Sequence, residues 1–224
     1  MSKIKWIIFS VISLGILALL VIFSNQSKID VSNVDVNAIQ VASDQSGNIA
    51  DNVSGKIDSK VMLIEYADYQ CPGCAGVYPT IKSVTEEYAD RIAFVFRNFP
   101  LTTIHANAKA AAATSEAAGL QGKFWEMHDK IYTTQSSWSN LSESDRVEFF
   151  ANYAKDLSLD IDKFNKDIVS SSVSHKISFD LAVGKKAEVD STPTFFLNGV
   201  KLDQSVWADA AKLKEAIDEE LSKN

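Results

Sequence analysis

The sequence predicts an α/β domain. A strand–helix–strand unit and a strand–strand–helix unit flank an all-helical block, and one apolar helix of membrane length precedes them. Three observations predict it. Strand signals cluster at residues 61–67 and 92–96 and return only at 194–202. Every patterned segment from about 104 to 186 has helical spacing, and residues 6–23 are apolar all round. With 224 residues, 46% of them apolar, the chain can bury the core of one domain carrying attachments. A net charge of −7 argues against a nucleic-acid partner, which would draw on a basic face. The two cysteines are too few for a disulfide-stapled mini-fold, a four-cysteine zinc site or an iron–sulfur cluster.

Lys3 and Lys5 precede the run Trp6–Phe23, in which only Ser10, Ser13 and Gly15 are not apolar. As a helix this run would be about 27 Å long, close to the roughly 30 Å hydrocarbon core of a bilayer. A cleaved signal peptide would have a shorter apolar region followed by small residues at the cleavage site. Ser24-Asn25-Gln26-Ser27 offers no such pattern, so an uncleaved signal anchor is expected and a cleaved peptide is the alternative. No Cys ends the run, which excludes lipoprotein processing. Lysines on the short side place the rest of the chain outside the cytoplasm, where disulfides can persist. Without Lys3 and Lys5 the net −7 becomes −9 for the exported part. The expected organisation is a cytoplasmic tail (1–5), an anchor (6–23), a polar linker (24–46), a first α/β half (47–103), a helical insertion (104–186) and a second α/β half (187–224).

Val61–Ala67 lacks alternation, as a strand covered on both faces should. After Cys71-Pro72-Gly73-Cys74, Val77, Ile81, Val84 and Tyr88 form one helical stripe, with Pro72 suited to the first turn and Pro79 expected to kink the helix. Ile92–Phe96 is the second strand. A helix follows from His105 to Ala118 with Gly119 as its stop, then an aromatic helix from Phe124 to Tyr132. Ser142-x-x-Asp145 opens a helix that carries Val147, Phe150, Ala154 and Leu157 on one side. Asp160 or Asp162 starts the next, and Ser174 opens another with Ile177 and Leu181. Thr194–Leu197 and Val200–Leu202 are strands joined at Asn198-Gly199, a two-residue hairpin turn. A final helix bears Val206, Ala210, Leu213, Ile217 and Leu221.

The chemistry lies in Cys71-Pro72-Gly73-Cys74. Unpaired backbone N–H groups and the macrodipole at a helix start favour an anion, so the Cys71 thiol should ionise below its free value of about 8.5. Cys74, one turn on, faces the same way and can close a disulfide. A stabilised thiolate beside a partner thiol is what thiol–disulfide exchange needs. A purely structural bridge over so short a loop would stabilise little. His105, His128 and His175 lack zinc-ligand spacing, and Ala75 stands where a c-type haem site needs His.

These segments resemble the membrane-anchored, DsbA-like branch of the thioredoxin-fold thiol–disulfide oxidoreductases. The resemblance runs from about Ser54 to Leu221. It rests on Leu63-Ile64-Glu65-Tyr66, the two cysteines with Pro72-Gly73 between them, Phe94 to Pro100, Gly122 to Asp129, and Ser191 to Gly199. It implies a thioredoxin fold with an all-helical domain inserted between its halves. It also implies that Thr192-Pro193 is a cis-proline loop that packs on the active site and pairs with substrate backbone. Glu65 matches a buried acid that takes or relays the Cys74 proton, and Pro79 matches a structural kink. Pro72-Gly73 departs from the Pro-His pair of strongly oxidising relatives, so the sequence argues against a very low Cys71 pKa.

The resemblance further implies an anchored oxidase that donates the Cys71–Cys74 disulfide to unfolded or reduced exported proteins. A quinone-linked membrane partner would reoxidise the pair, with no bound cofactor and no metal. The alternatives are a reductase or isomerase of the same fold, and a non-enzymatic peptide-binding chaperone or metal carrier. His105 is expected to cap or pack, His128 to be structural, His175 to lie on the surface, and Trp125 and Trp138 to line core or groove. Tyr69, Gly73 and the Thr192 loop are expected to form an exposed apolar patch beside Cys71.

Overall fold

In the computed structural model, which describes residues 29–223, two strands pair in parallel at the centre of a five-stranded sheet. They are β2 (Met62–Ala67) and β3 (Ala93–Asn98), joined by α1 (Pro72–Glu87). Nearly every residue in both is buried, which is why neither alternates in sequence. The remaining strands are β1 (Asn52–Gly55), β4 (Thr194–Leu197) and β5 (Val200–Lys201), in the order β1-β3-β2-β4-β5. β4 runs antiparallel to β2 with Glu65 opposite Phe195, and β1 antiparallel to β3. The β4–β5 hairpin turns at Asn198 and Gly199, whose φ angles of 47° and 81° suit these residue types. Asn198 also accepts from the Met62 N–H through its side chain at 2.8 Å, fastening the turn to β2. β1 is an element the sequence reading lacks, because Asn-Val-Ser-Gly carries no apolar pattern.

The helical block comprises α2 (Ala108–Gly119), α3 (Phe124–Thr133), α4 (Gln135–Trp138), α5 (Glu143–Asp156), α6 (Ile161–Asp167) and α7 (Ser171–Lys186). After β5 come α8 (Gln204–Trp207) and α9 (Ala210–Ser222), so the single final helix expected from the sequence is two, broken where Asp209 caps α9. Ser142 caps α5 and Asp160 caps α6, as their sequences suggest. α7 starts earlier than expected, capped by Ser170 rather than opened at Ser174. Gly119 is still helical, and the positive φ of 74° falls on Gly122. Val147, expected on the same side of α5 as Phe150 and Ala154, is 63% exposed, whereas those two are buried.

Two apolar clusters form the core. One lies between the sheet and the helices α1 and α9, joining Leu63, Phe94 and Phe195 to Val77, Ile81, Val84, Leu213 and Ile217. The other fills the helical block around Trp138, Phe150 and Ile177, and it includes Cys71, Cys74, Tyr69, Tyr78 and Phe96. The cysteines therefore sit where sheet and helical block meet.

The expected linker (24–46) is corrected for its described part. Lys186 donates to the carbonyls of Val31, Ser32 and Val34, at 2.9, 2.6 and 2.7 Å. Arg97 donates to those of Val36 and Ala38, at 2.8 and 2.6 Å. Gln40 and Asp51 exchange hydrogen bonds of 2.8 and 2.9 Å. The segment is held by its backbone carbonyls, which no side-chain pattern encodes. Beneath it lie two buried cations and two buried acids: Arg97 pairs with Asp51 at 2.8 Å, and Lys176 with Asp51 at 3.1 Å and Asp180 at 2.6 Å. The expected tail (1–5), the anchor (6–23) and the start of the linker lie outside the described residues. Among the described residues no helix is long and apolar enough to cross a membrane.

Candidate active site

Cys71 is the N-cap of α1, in extended backbone (φ −67°, ψ 123°), with Pro72 at the first helical position. No side chain caps this helix, so its first N–H groups are left facing the sulfur. Cys74 comes one turn later and is wholly buried, whereas Cys71 is 9% exposed. Both are thiols here. The Sγ of Cys71 lies 3.3 Å from the carbonyl oxygen of Thr192, and the Thr192–Pro193 peptide is cis. A Cβ at Gly73 would stand 3.5 Å from Pro193 Cδ and 3.7 Å from Cys71 Sγ, so residue 73 lies against the same loop. The structure thus brings Cys71, Pro72, Gly73, Cys74, Thr192 and Pro193 together. The expected apolar patch is corrected at Tyr69, which is 1% exposed and packs on Phe96 and Tyr132.

The two sulfurs are electrostatically unequal. The Cys74 thiol hydrogen bonds to Cys71 and, against the cost of burial, brings the Cys71 pKa down to about 5; the Thr192 hydroxyl and the N–H groups of Cys74 and Gly73 add to this. Gly73 offers this thiolate no side chain, and a neighbouring thiol and backbone donors supply the stabilisation. Burial, the adjacent Cys71 sulfur and Glu65 push Cys74 well above the ordinary thiol range. Such a pair has one good leaving group and one that must take up or give up a proton whenever it reacts.

Glu65 supplies the only carboxyl among the causes of the Cys74 shift. It is 4% exposed, and burial alone raises its pKa to about 8, so it holds its proton at neutral pH. It lines a cavity of about 120 Å³ together with Ser54, Tyr78, Lys82, Trp125, His128 and Asp129. A carboxylic acid that titrates near 8 beside a thiol that titrates above its ordinary range can exchange a proton with it.

Several residues that shape the site carry no signal in the sequence. Gln135 donates to the carbonyls of Tyr69 and Cys71, at 2.8 and 2.9 Å, and so ties α4 to the approach to α1. Asp68 accepts from the N–H groups of Gln70 and Leu101, at 2.7 and 2.8 Å, and pairs with His105 Nδ1 at 2.7 Å. His105 is thus held by Asp68, whereas the expectation was that it caps or packs. His175 is exposed, and Trp138 is wholly buried.

A parallel–antiparallel sheet with a helical insertion, and a Cys-x-x-Cys pair at the start of α1 facing a cis-proline loop, define the thioredoxin-fold class. Residues 48–219 match the family model described as Thioredoxin, and the chain belongs to that family. Its architecture is that of the DsbA-like thiol–disulfide oxidoreductases. Similar solved structures include alpha-DsbA1 from Wolbachia pipientis, 23% identical with a TM-score of 0.67, covering 77% of this chain and 92% of that one. Oxidised BdbD from Bacillus subtilis is 21% identical with a TM-score of 0.66, covering 83% and 98%. At these identities the likeness is one of fold. Among curated proteins, a Na(+)/H(+) antiporter NhaA 1 from Mycolicibacterium gilvum is 37% identical over 172 residues, 75% of this chain and 26% of that protein. Its counterpart from Mycolicibacterium vanbaalenii is 36% identical over the same span. The chain spans about a quarter of the length of these relatives.

Proposed function

We propose that the protein is a membrane-anchored, extracytoplasmic oxidase that donates the Cys71–Cys74 disulfide to unfolded or reduced exported proteins. The observation that carries the reading is the inequality of the two sulfurs, Cys71 brought down to about 5 and Cys74 pushed well up. A stabilised Cys71 thiolate favours the reduced pair and makes the disulfide a ready electron acceptor. Substrate thiolate attacks Cys71 Sγ, the Cys71–Cys74 bond breaks, and Cys74 departs and takes a proton from Glu65. A second substrate thiolate then attacks the substrate sulfur of the mixed disulfide and expels Cys71 as thiolate. The two electrons now held by the dithiol pass to a quinone-linked membrane partner. The Thr192–Pro193 loop beside Cys71 is the edge against which substrate backbone pairs.

The apolar run Trp6–Phe23 supports the anchor, with Lys3 and Lys5 on its short side. The occurrence of the same family region in proteins named as Na(+)/H(+) antiporters is consistent with a membrane setting.

The test is the reduction potential of the Cys71–Cys74 pair in glutathione buffers. A value well above about −200 mV fits an oxidase, and one near the roughly −270 mV of thioredoxin, with the pair reduced in cells, would assign a reductase instead. A non-enzymatic chaperone would keep its activity after Cys71→Ser, which the oxidase cannot.

A further inference from the structure

His128 was expected to be a structural residue of the aromatic helix. It is buried among Tyr69, Phe96, Phe124, Trp125 and Tyr132. Packing explains the ring but not its two nitrogens. Nδ1 lies 3.0 Å from Asp129 Oδ1, and a carboxylate there accepts, so Nδ1 carries the hydrogen. Nε2 is then a bare acceptor, and it is buried with no hydrogen-bond partner. Burial holds the imidazole neutral by lowering its pKa, against the pull of Asp129.

The chain of contacts continues outward. Asp129 Oδ2 accepts from Lys82 Nζ at 2.6 Å, and Lys82 Nζ pairs with Glu86 at 2.7 Å on the exposed face of α1. Glu86, Lys82, Asp129 and His128 all line the cavity that Glu65 lines. A polar ladder thus runs from solvent to Nδ1 of an imidazole whose Nε2 is unpartnered, along the wall of the chamber that holds the buried acid. The other titratable groups facing His128 are Tyr78 of α1, Tyr69, and Tyr132 of α3, and each of them is held in its protonated form.

We infer that His128, held by Asp129 and Lys82, is the positioning residue through which Glu65 exchanges its proton with solvent. This rests on the exchange reading above and names the next station of the same site. When Cys74 attacks a mixed disulfide at Cys71, its proton passes to the Glu65 carboxylate. From the Glu65 carboxyl the proton passes by way of water in the cavity to His128 Nε2, the imidazolium gives its Nδ1 proton to the Asp129 carboxylate, and Asp129 releases it to solvent beside Lys82 and Glu86. The reverse order recharges Glu65 when Cys74 departs. No redox change falls on His128.

The experiment is single-turnover resolution of a mixed disulfide between Cys71 and thionitrobenzoate, read by its release across pH 5–10. It uses wild type, His128→Phe, His128→Gln, Glu65→Gln and the double variant Glu65→Gln/His128→Phe. Phe keeps the aromatic packing and Gln keeps an acceptor, but neither takes a proton. Each His128 variant should slow release about tenfold, below the usual full effect of an acid–base group because His128 acts at one remove. The double variant should be no slower than Glu65→Gln alone. Equal slowing by His128→Phe with and without Glu65 would mean packing only and overturn the inference. So would a wild-type pH profile and rate in both His128 variants. Wild-type protein that never releases thionitrobenzoate would instead sink the exchange reading itself. If His128→Phe fails to fold, the Gln variant decides by the same criterion.

Discussion

The sulfur of Cys71 sits 3.3 Å from the carbonyl oxygen of Thr192, a residue 121 positions further along the chain. The sheet makes this contact: α1 leaves the carboxyl end of β2, and the Thr192 loop enters β4, which pairs with β2. The reactive atom and the loop beside it are thus brought together by two halves of the fold that the helical block separates in sequence. As a thiol Cys71 donates to that carbonyl, which favours the protonated form. The thiolate is favoured instead by Cys74, the Thr192 hydroxyl and the first N–H groups of α1.

From this follows a titration. Thiolate absorbance of the reduced protein should rise with a midpoint near pH 5. Cys74→Ala removes the largest cause and should move that midpoint upward, toward the free-thiol range of about 8.5. A midpoint unchanged by Cys74→Ala would mean that backbone donors alone hold the thiolate.

Glu65 links the site to stability. Its carboxyl titrates near 8 in the folded chain and near 4.5 when unfolded, so the folded state keeps its proton through that window. Stability therefore falls as pH rises from about 4.5 to 8, by up to about 1.4 kcal/mol per pH unit. Glu65→Gln should be near neutral at pH 4 and stabilise the reduced protein by about 3 kcal/mol at pH 7. The same variant should slow the Cys74 step about 100-fold at neutral pH. Denaturant unfolding at pH 4 and 8 checks the first claim and stopped-flow exchange the second. Glu116, also raised to about 8 by burial, has the same sign and should leave a residual slope in the variant.

The buried ion cluster should behave differently. Arg97→Met leaves Asp51 facing Lys176 alone and removes the donors to Val36 and Ala38. Loss of one member of such a pair costs about 3–5 kcal/mol. Limited proteolysis should then cut within residues 31–46, and protection equal to wild type would show that Lys186 suffices to hold the segment.

Gly73→His tests what position 73 contributes. A Cβ there would meet its nearest neighbours at ordinary contact distances of 3.5, 3.7 and 4.0 Å, so the backbone position admits a side chain. A donor there should stabilise the Cys71 thiolate further and raise the potential by about 30 mV for every 1.4 kcal/mol gained. An unchanged or lower potential would contradict it.

Much of this was legible in the sequence, and for identifiable reasons. The strands around Leu63 and Phe94 were readable because burial on both faces leaves uninterrupted apolar runs, and the hairpin because Asn198-Gly199 suits its turn. Glu65 could be suspected from its apolar neighbours, and Thr192-Pro193 from the resemblance. The docked segment Val31–Gln40 was not legible, because carbonyls hold it and every residue has one. The Asp129–His128 pair was hidden for a different reason. An aromatic helix reads as core, and only three-dimensional packing shows a ring nitrogen left without a partner. Gly73 shows only what position 73 lacks, because the thiolate is stabilised by Cys74 and by backbone.

The most direct test of disulfide exchange with exported proteins is trapping in cells with Cys74→Ser. This variant keeps the reactive sulfur of Cys71 but lacks the sulfur that can attack the mixed disulfide from within the chain and set the substrate free. It should accumulate reducible adducts with exported proteins, all joined through Cys71 and all lost in the Cys71→Ser/Cys74→Ser double variant. A gel with no such adducts, from cells whose Cys74→Ser protein is abundant and folded, would contradict the account.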